Sequence, residues 1–496
     1  MNQTKPPLAG KVLSLLLLFV GYLCFFSARW FVSTYGRLGF DSVLFTITAD
    51  LGGVQAGLVL RYLLLALVPT VALTCLTGWV LFRKRKTGRF QIPQRIRGSS
   101  LMAVLLSLGL FLFAAFDIEL VDYVIDQTGN SKLYEAHYVD PNSVEISFPE
   151  KKRNLIYIML ESMETTYLSK DLGGAMEENL IPELHQLAQE NISFYPTDPK
   201  SSGGYHTTAG ATWTIGSMVA QTAGIPLKTP TEDVNKYGAA GEAFLPGVTS
   251  LTNILKDAGY YQALMVGSDV TFGGREAYYS QHGMDEILDI YTARADGIIP
   301  KDYFVWWGME DLHLFEYARE KLTEISASDQ PFAFTVLTVD THHVGGYRCK
   351  LCLDSESGEN YDSAISCSSR QVAEFVKWIR AQPFYENTTV IIVGDHESMD
   401  NGYMERNVPE NYIRRLYNCF INTPVSETYT KNRNFGAIDL FPTTLAALGC
   451  TIPGDRLGLG TNLFSGKKTL MEGYGFDHFN DLLAKGSAYY EENFFE

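Results

Sequence analysis

Three early stretches of the chain, 12–28, 62–82 and 98–116, are uncharged and mostly apolar over 17, 21 and 19 consecutive positions. Each is long enough for a helix to cross a bilayer, and a cleaved leader would explain only the first. After residue 152 the pattern changes. Short runs such as NLIYIML (154–160), YYQALMV (260–266), FAFTVLT (332–338), TVIIV (389–393) and the run at 416–421 are apolar without alternation. That is the mark of strands buried on both faces. Between them lie segments of helical period: 182–190, the stretch around Trp213, Ile215, Met218 and Val219, 369–382, and 437–448. Strands alternating with helices predict an α/β fold, a mostly parallel sheet covered by helices on both faces.

The pattern divides the chain. Residues 1–116 form the expected membrane domain of three transmembrane helices. The turn-rich stretch 117–152, with Gly129-Asn130, Asp140-Pro141-Asn142 and Pro149-Glu150-Lys151-Lys152, reads as a connector. An α/β catalytic domain over 153–470 and an aromatic, acidic tail over 471–496 complete it. The moderately apolar stretch 40–60 contains Asp50 and several glycines and is expected to be interfacial or re-entrant.

Charge orients this arrangement. Residues 1–116 carry twelve Lys or Arg against Asp41 and Asp50, a net of +10, whereas the whole chain is at −16. The remainder therefore holds −26, a poor match for nucleic acid or an anionic lipid surface. Seven of the basic residues crowd into 83–97, which contains no acid. The positive-inside rule makes that loop cytoplasmic, so everything after residue 116 is expected outside. An active site there has lipid and envelope polymers within reach but no supply of ATP.

Candidate chemistry collects at the strand ends, where open α/β sheets build their sites. The run TVIIVGDHESMD (389–400) places Asp395 and His396 directly after a buried strand, a pair suited to a divalent cation. An Asp N-cap beside a surface His would account for the same letters. Glu161 follows the strand at 154–160. Thr208, in SSGGYHTTAGATWTIG, is expected at a helix N-terminus. There it would serve as an ordinary N-cap, or as a metal-activated nucleophile beside helix N–H groups that favour an anion. Arg275 ends the glycine loop SDVTFGGR and can reach an anionic ligand. VDTHH (339–343) closes another strand, and its two adjacent histidines cannot both face the core. Glu161, Thr208, Arg275, His342, Asp395 and His396 share this placement, and one cleft is the simplest account of them.

Cys349, Cys352 and Cys367 fall in an insertion after the third of these strands, with Cys419 and Cys450 further on. A metal knuckle is one reading. An extracytoplasmic compartment favours a disulfide joining Cys367 to Cys349 or Cys352.

As a set, the strand–Glu-Ser, the Thr ahead of Trp-Thr-Ile, the strand–THH and the strand–GDH resemble the sulfatase and alkaline phosphatase superfamily. Within it they are most similar to the membrane-anchored lipoteichoic acid synthases and phosphoglycerol transferases, over roughly residues 150–465. The resemblance implies one Mn²⁺ or Mg²⁺, with Zn²⁺ not excluded, on Glu161, Thr208, Asp395 and His396. It makes Thr208 the nucleophile and lets Arg275 and His342 contact the transferred group, with His206 and His343 behind them. It also implies a bacterial inner-membrane enzyme moving phosphoglycerol from phosphatidylglycerol to an envelope glycan or polymer. Transfer of phosphoethanolamine is the alternative, and a non-catalytic envelope-binding protein the third. Hydrolytic sulfatase action is disfavoured, because Thr208-Ala209-Gly210-Ala211 lacks the C/S-x-P-x-R context that formylglycine requires. Where lipoteichoic acid synthases carry a Trp two residues before the Arg, this chain has Gly273.

Overall fold

The computed structural model describes residues 8–37, 39–40, 43–44, 56–82, 96–196, 203–228, 243–355, 357–425 and 429–495. Nearly all of those up to Val124 form one compact unit, and those from Ile125 onward form another.

The first unit is built from three apolar helices. Leu8–Tyr35 and Ile96–Asp117 are continuous; the middle one runs Ala56–Tyr62, through a π turn at Leu63–Leu67, into Val68–Phe82. All three are long and apolar enough to cross a membrane, with mean hydropathy of 2.0 to 2.1. Leu13, Leu64, Leu76, Leu101 and Phe116 stay exposed on them, as lipid-facing side chains would. Gly21 lets the first helix approach the last: a Cβ there would meet the Ser107 Cα at 2.9 Å, a small-residue contact usual between spanning helices. Arg29 and Arg37 both reach the buried Asp117, at 3.1 and 3.5 Å. Most of the expected re-entrant stretch 40–60 and nearly all of the basic loop 83–97 lie outside the described residues.

The second unit is organised by a six-stranded sheet. Its strands are β1 (Asn154–Leu160), β2 (Tyr261–Val266), β3 (Glu286–Leu288), β4 (Phe332–Leu337), β5 (Thr388–Gly394) and β6 (Asn418–Ile421). The order is β3-β2-β4-β1-β5-β6, parallel except for the antiparallel edge strand β6. Every residue of β1 and β5 is buried. Alternate residues feed opposite cores, which explains the unbroken apolar runs. Tyr157, Met159, Ile391 and Val393 pack under helices Thr214–Ala223 and Leu440–Ala447. Ile156, Ile158, Val390 and Ile392 pack under Pro182–Glu190, Asp311–Ile325 and Asn360–Arg380. The α/β expectation holds.

Two local expectations do not. The amphipathic helix expected at 369–382 begins at Asn360, because its polar first turns are buried too, with Tyr361, Ala364 and Ile365 in the core. The helix expected to start near Thr208 begins at Thr214, capped by extended Trp213. Residues 125–152 and the tail belong to the sheet unit itself. Leu133, Tyr134, Phe479, Tyr490 and Phe494 enter its core, and Tyr134 packs edge-on to Tyr490 at 5.4 Å. Ser147 and Thr451 pair across an isolated bridge.

Candidate active site

Parallel strands end on one edge, so the residues that follow β1, β4 and β5 are neighbours whatever their separation in sequence. Register brings Leu160 opposite Gly394, and Asp395 continues the ladder by donating its N–H to the Leu160 carbonyl at 3.0 Å. Gly394 is required by close approach: a Cβ there would lie 2.1 Å from the Met163 carbonyl oxygen. On the other side, Thr338 donates its N–H to Met159 at 3.0 Å, and its hydroxyl accepts from the Glu161 N–H at 2.9 Å.

Glu161, Asp395 and His396 therefore converge, each no more than 3% exposed. One ligand atom from each lies within 4.8 Å of the others. His396 Nε2 stands 3.5 Å from Glu161 Oε1 and 3.4 Å from Asp395 Oδ2. Its Nδ1 is tied to the Glu397 carbonyl at 2.8 Å, which presents Nε2 to the two carboxylates. Asp395 Oδ1 accepts N–H groups from Ser162 and His396 at 2.8 and 2.7 Å, while Oδ2 is buried without a partner. Ser162 sits in the left-handed region at φ 50°, and this turn is what aims its N–H at Asp395.

The electrostatics suit a cation. Burial, and then the Asp395 carboxylate, push Glu161 up to about 8, against the pull of His396. Burial alone would lower His396, but Asp395 and Glu161 outweigh it and its net shift is upward. Two buried carboxylates and an imidazole, with one carboxylate oxygen orphaned, fit a divalent cation held by hard oxygen and nitrogen ligands.

Thr208 is joined to this trio less directly. It lies in a turn closed by the Ala211 N–H on its own carbonyl at 2.9 Å, so it caps no helix. Its side chain is 1% exposed, and Oγ1 has no hydrogen-bond partner. The turn leads to Thr214, whose Oγ1 is 3.4 Å from His396 Nε2.

Arg275 opens helix Arg275–Gln281 and is 5% exposed, unlike the solvated loop arginine that is usual after Gly-Gly. It donates to Ser268 Oγ at 3.0 Å, the Asp269 carbonyl at 2.5 Å and the Phe272 carbonyl at 3.0 Å. Burial lowers it to about 10, opposed by Glu161, Asp269, Asp289 and Asp395. His342 packs at a tilt against Trp307 and stacks on His343, each at 4.3 Å. Its Nδ1 meets the His343 carbonyl at 2.8 Å, and burial lowers it to about 3, so it is neutral at physiological pH. His206 stacks on Phe476 at 4.7 Å and bonds Asn434 at 3.4 Å.

Three supports carried no sequence signal. Glu164, fully buried, is clamped by Arg414 and by the Ser398 N–H at 2.8 Å, and Arg414 also lies 3.6 Å from Glu397. Glu397 thus belongs to this ion pair and not to the cation site. Trp307 comes from an aperiodic loop. Thr341, inside VDTHH, donates to the Glu161 carbonyl.

The sulfatase family profile matches residues 153–450. Phosphoglycerol transferase I of Salmonella choleraesuis strain SC-B67 is 31% identical over 444 residues, 86% of this chain and 53% of the relative. The chain thus spans about half the length of the curated relatives it matches. A protein of the alkaline phosphatase superfamily from Vibrio parahaemolyticus is 20% identical, with a TM-score of 0.49 over 67% of this chain and 74% of that one. The lipoteichoic acid synthase LtaP from Listeria monocytogenes is 18% identical, with a TM-score of 0.49 over 68% and 81%.

Proposed function

From the premise that the chain belongs to the sulfatase family, we propose that it is a membrane-anchored, divalent-metal-dependent phosphotransferase. In this reading it carries phosphoglycerol from phosphatidylglycerol to an envelope glycan or polymer through a covalent glycerophospho-threonine on Thr208. The observation that carries the reading is the buried carboxylate–imidazole cluster with its unsatisfied Asp395 Oδ2, supported by Thr208 Oγ1, also buried without a hydrogen-bond partner, in the turn that leads to Thr214 beside His396. The donor is suggested by the 31% identical relative, which is named a phosphoglycerol transferase. Three apolar helices support a chain tethered in the bilayer, where a lipid donor is also found. We place it in a bacterial inner membrane with its catalytic domain outside.

Glu161, Asp395, His396 and Thr208 would hold the cation, Mn²⁺ or Mg²⁺ by donor type. When bound, it offsets the charge of a phosphodiester and favours the ionised threonine hydroxyl. Thr208 Oγ1 attacks phosphorus, the bond to diacylglycerol breaks, and the threonine proton ends on that leaving alcohol. Arg275 binds the phosphoryl oxygens, its Nε and Nη2 being fixed by its own loop. With Nδ1 donating to the His343 carbonyl, the Nε2 of neutral His342 is free to accept a hydrogen bond. That suits orienting the incoming acceptor hydroxyl better than protonating the lipid. The acceptor oxygen then attacks phosphorus, the bond to Thr208 Oγ1 breaks, the acceptor's proton ends on Thr208 Oγ1, and the glycerophosphate leaves on the acceptor.

A phosphoethanolamine donor is the second reading, favoured by Gly273, which removes the ring that lipoteichoic acid synthases place before this Arg. Incubating the purified full-length chain with labelled phosphatidylglycerol or phosphatidylethanolamine, with Mn²⁺ or with chelator, separates them. Release of diacylglycerol from phosphatidylglycerol, lost with chelator and in Thr208→Ala, is the expected result. Release from phosphatidylethanolamine alone selects the second reading. Release from neither overturns the transferase.

A further inference from the structure

The cysteines of the insertion are not disulfide-bonded. Cys349 Sγ stands 3.8 Å from Cys367 Sγ and 3.8 Å from Cys352 Sγ. All three sulfurs lie within 4.8 Å of one another. A disulfide would require about 2.0 Å, and one bond among three would leave the third thiol unpaired. Sulfurs at two corners of a zinc tetrahedron, with Zn–S bonds of about 2.3 Å, are separated by about 3.8 Å. Both separations from Cys349 match that spacing.

Hydrogen-bond donors reach two of the three sulfurs. Leu351 donates its backbone N–H to Cys349 Sγ at 3.4 Å. The Gln371 side-chain amide donates to Cys367 Sγ at 3.6 Å and Cys349 Sγ at 3.9 Å. The turn that presents the CxxC pair is closed by the Cys352 N–H on the Cys349 carbonyl at 3.1 Å. Cys349 and Cys367 are buried and Cys352 is half-buried, so solvent reaches the cluster on one side.

We infer that Cys349, Cys352 and Cys367 form a second metal site for a thiophilic divalent cation of the Zn²⁺ class, distinct from the carboxylate–imidazole site. Each thiol gives up its proton as the sulfur–metal bond forms, and water or an exogenous anion fills the fourth position. Two ligands lie on the turn and the third on helix Asn360–Arg380, so the metal pins the insertion to the helix. The insertion follows directly on His342 and His343. Its Tyr347 donates its N–H to the Asp340 carbonyl at 2.7 Å, so the clasp fixes the segment that carries those histidines.

The test replaces bound metal with Co²⁺ in the detergent-purified full-length protein. A thiolate-to-cobalt charge-transfer band is expected in the wild type, retained in Asp395→Asn and lost in Cys367→Ser. Elemental analysis should find one more zinc per chain in the wild type than in that variant. Cys352→Ser, at the half-buried position, guards against a folding defect and should lose the band equally. The inference is overturned by a wild type with no such band, or by a band that survives both cysteine substitutions. Peptide mapping that finds Cys349 disulfide-bonded to Cys352 or Cys367 in protein isolated without reductant also overturns it. None of these readouts depends on the proposed transfer reaction.

Discussion

Ser162 donates its backbone N–H to Asp395 Oδ1 at 2.8 Å, 233 positions away in sequence. That bond fixes the carboxylate of one strand end against the turn of another and leaves Oδ2 aimed at Glu161 and His396 without a donor of its own. A carboxylate so held binds a cation without reorganising.

Asp395→Asn is the isosteric test of that relationship. The asparagine oxygen can keep both N–H bonds, while its amide puts a neutral donor where a cation needs an anion. Metal content should drop, and any transferase activity should fall by more than about 100-fold, since even outer-shell substitutions cost about 10–100-fold. Full metal occupancy in the variant would remove Asp395 from the site.

The buried Glu164 carboxylate is paired with Arg414. Arg414→Met leaves that charge unpaired in the interior, where loss of one partner costs about 3–5 kcal/mol. Thermal unfolding of the purified protein should show a large drop in Tm. Adding Glu164→Gln should recover part of it, because the stranded charge is then gone. A single variant as stable as the wild type would show the pair to be dispensable.

What sequence exposed and what it hid follow from range. β1 and β5 could be read directly, because burial on both faces writes an uninterrupted apolar run, and the polar residue ending each run then marks the site edge. Asp395, His396 and Glu161 were accessible on that ground. At Thr208 the expected helix start is displaced: Gly210 and the 208–211 turn delay the helix to Thr214, and a threonine ahead of helical spacing looks the same either way. Glu164 and Arg414 are 250 positions apart, and nothing local marks either as half of a buried pair. The three cysteines announced a cluster, but bond or metal is decided by sulfur separations that spacing in sequence does not contain.

Trp307 supplies an aromatic wall from an unexpected direction. Its ring is 4.3 Å from His342 and 5.5 Å from Phe272, two residues that flank the glycine loop and the histidine pair. If that face receives the donor headgroup, Trp307→Ala should raise KM for the lipid by about tenfold with a smaller effect on kcat, the scale of one lost apolar contact. Trp307→Phe should restore most of it. Equal kinetics in wild type and alanine variant would exclude the wall.

The last prediction concerns a pair of buried acids, one of them two residues before His342. Asp311 and Asp340 are both 0% exposed. Asp311 Oδ1 accepts the Val339 N–H at 2.7 Å, and Asp340 Oδ1 accepts the Asp311 N–H at 3.1 Å. The second oxygen of each is unpartnered. Burial pushes Asp311 up to about 7 and Asp340 well above its ordinary value, the neighbouring Asp311 adding to the latter. In the unfolded chain both lose their protons near pH 4. Between about pH 4 and 7 the folded state therefore binds more protons than the unfolded state, and stability falls as pH rises through that window. Asp311→Asn keeps the accepting oxygen, replaces the proton with an amide and removes one titrating group. The stability of wild type relative to this variant should decline from pH 4 to pH 7, by at most about 1.4 kcal/mol per pH unit. Denaturant unfolding of both proteins across that range measures it, and parallel pH profiles would show that the pair shares no proton.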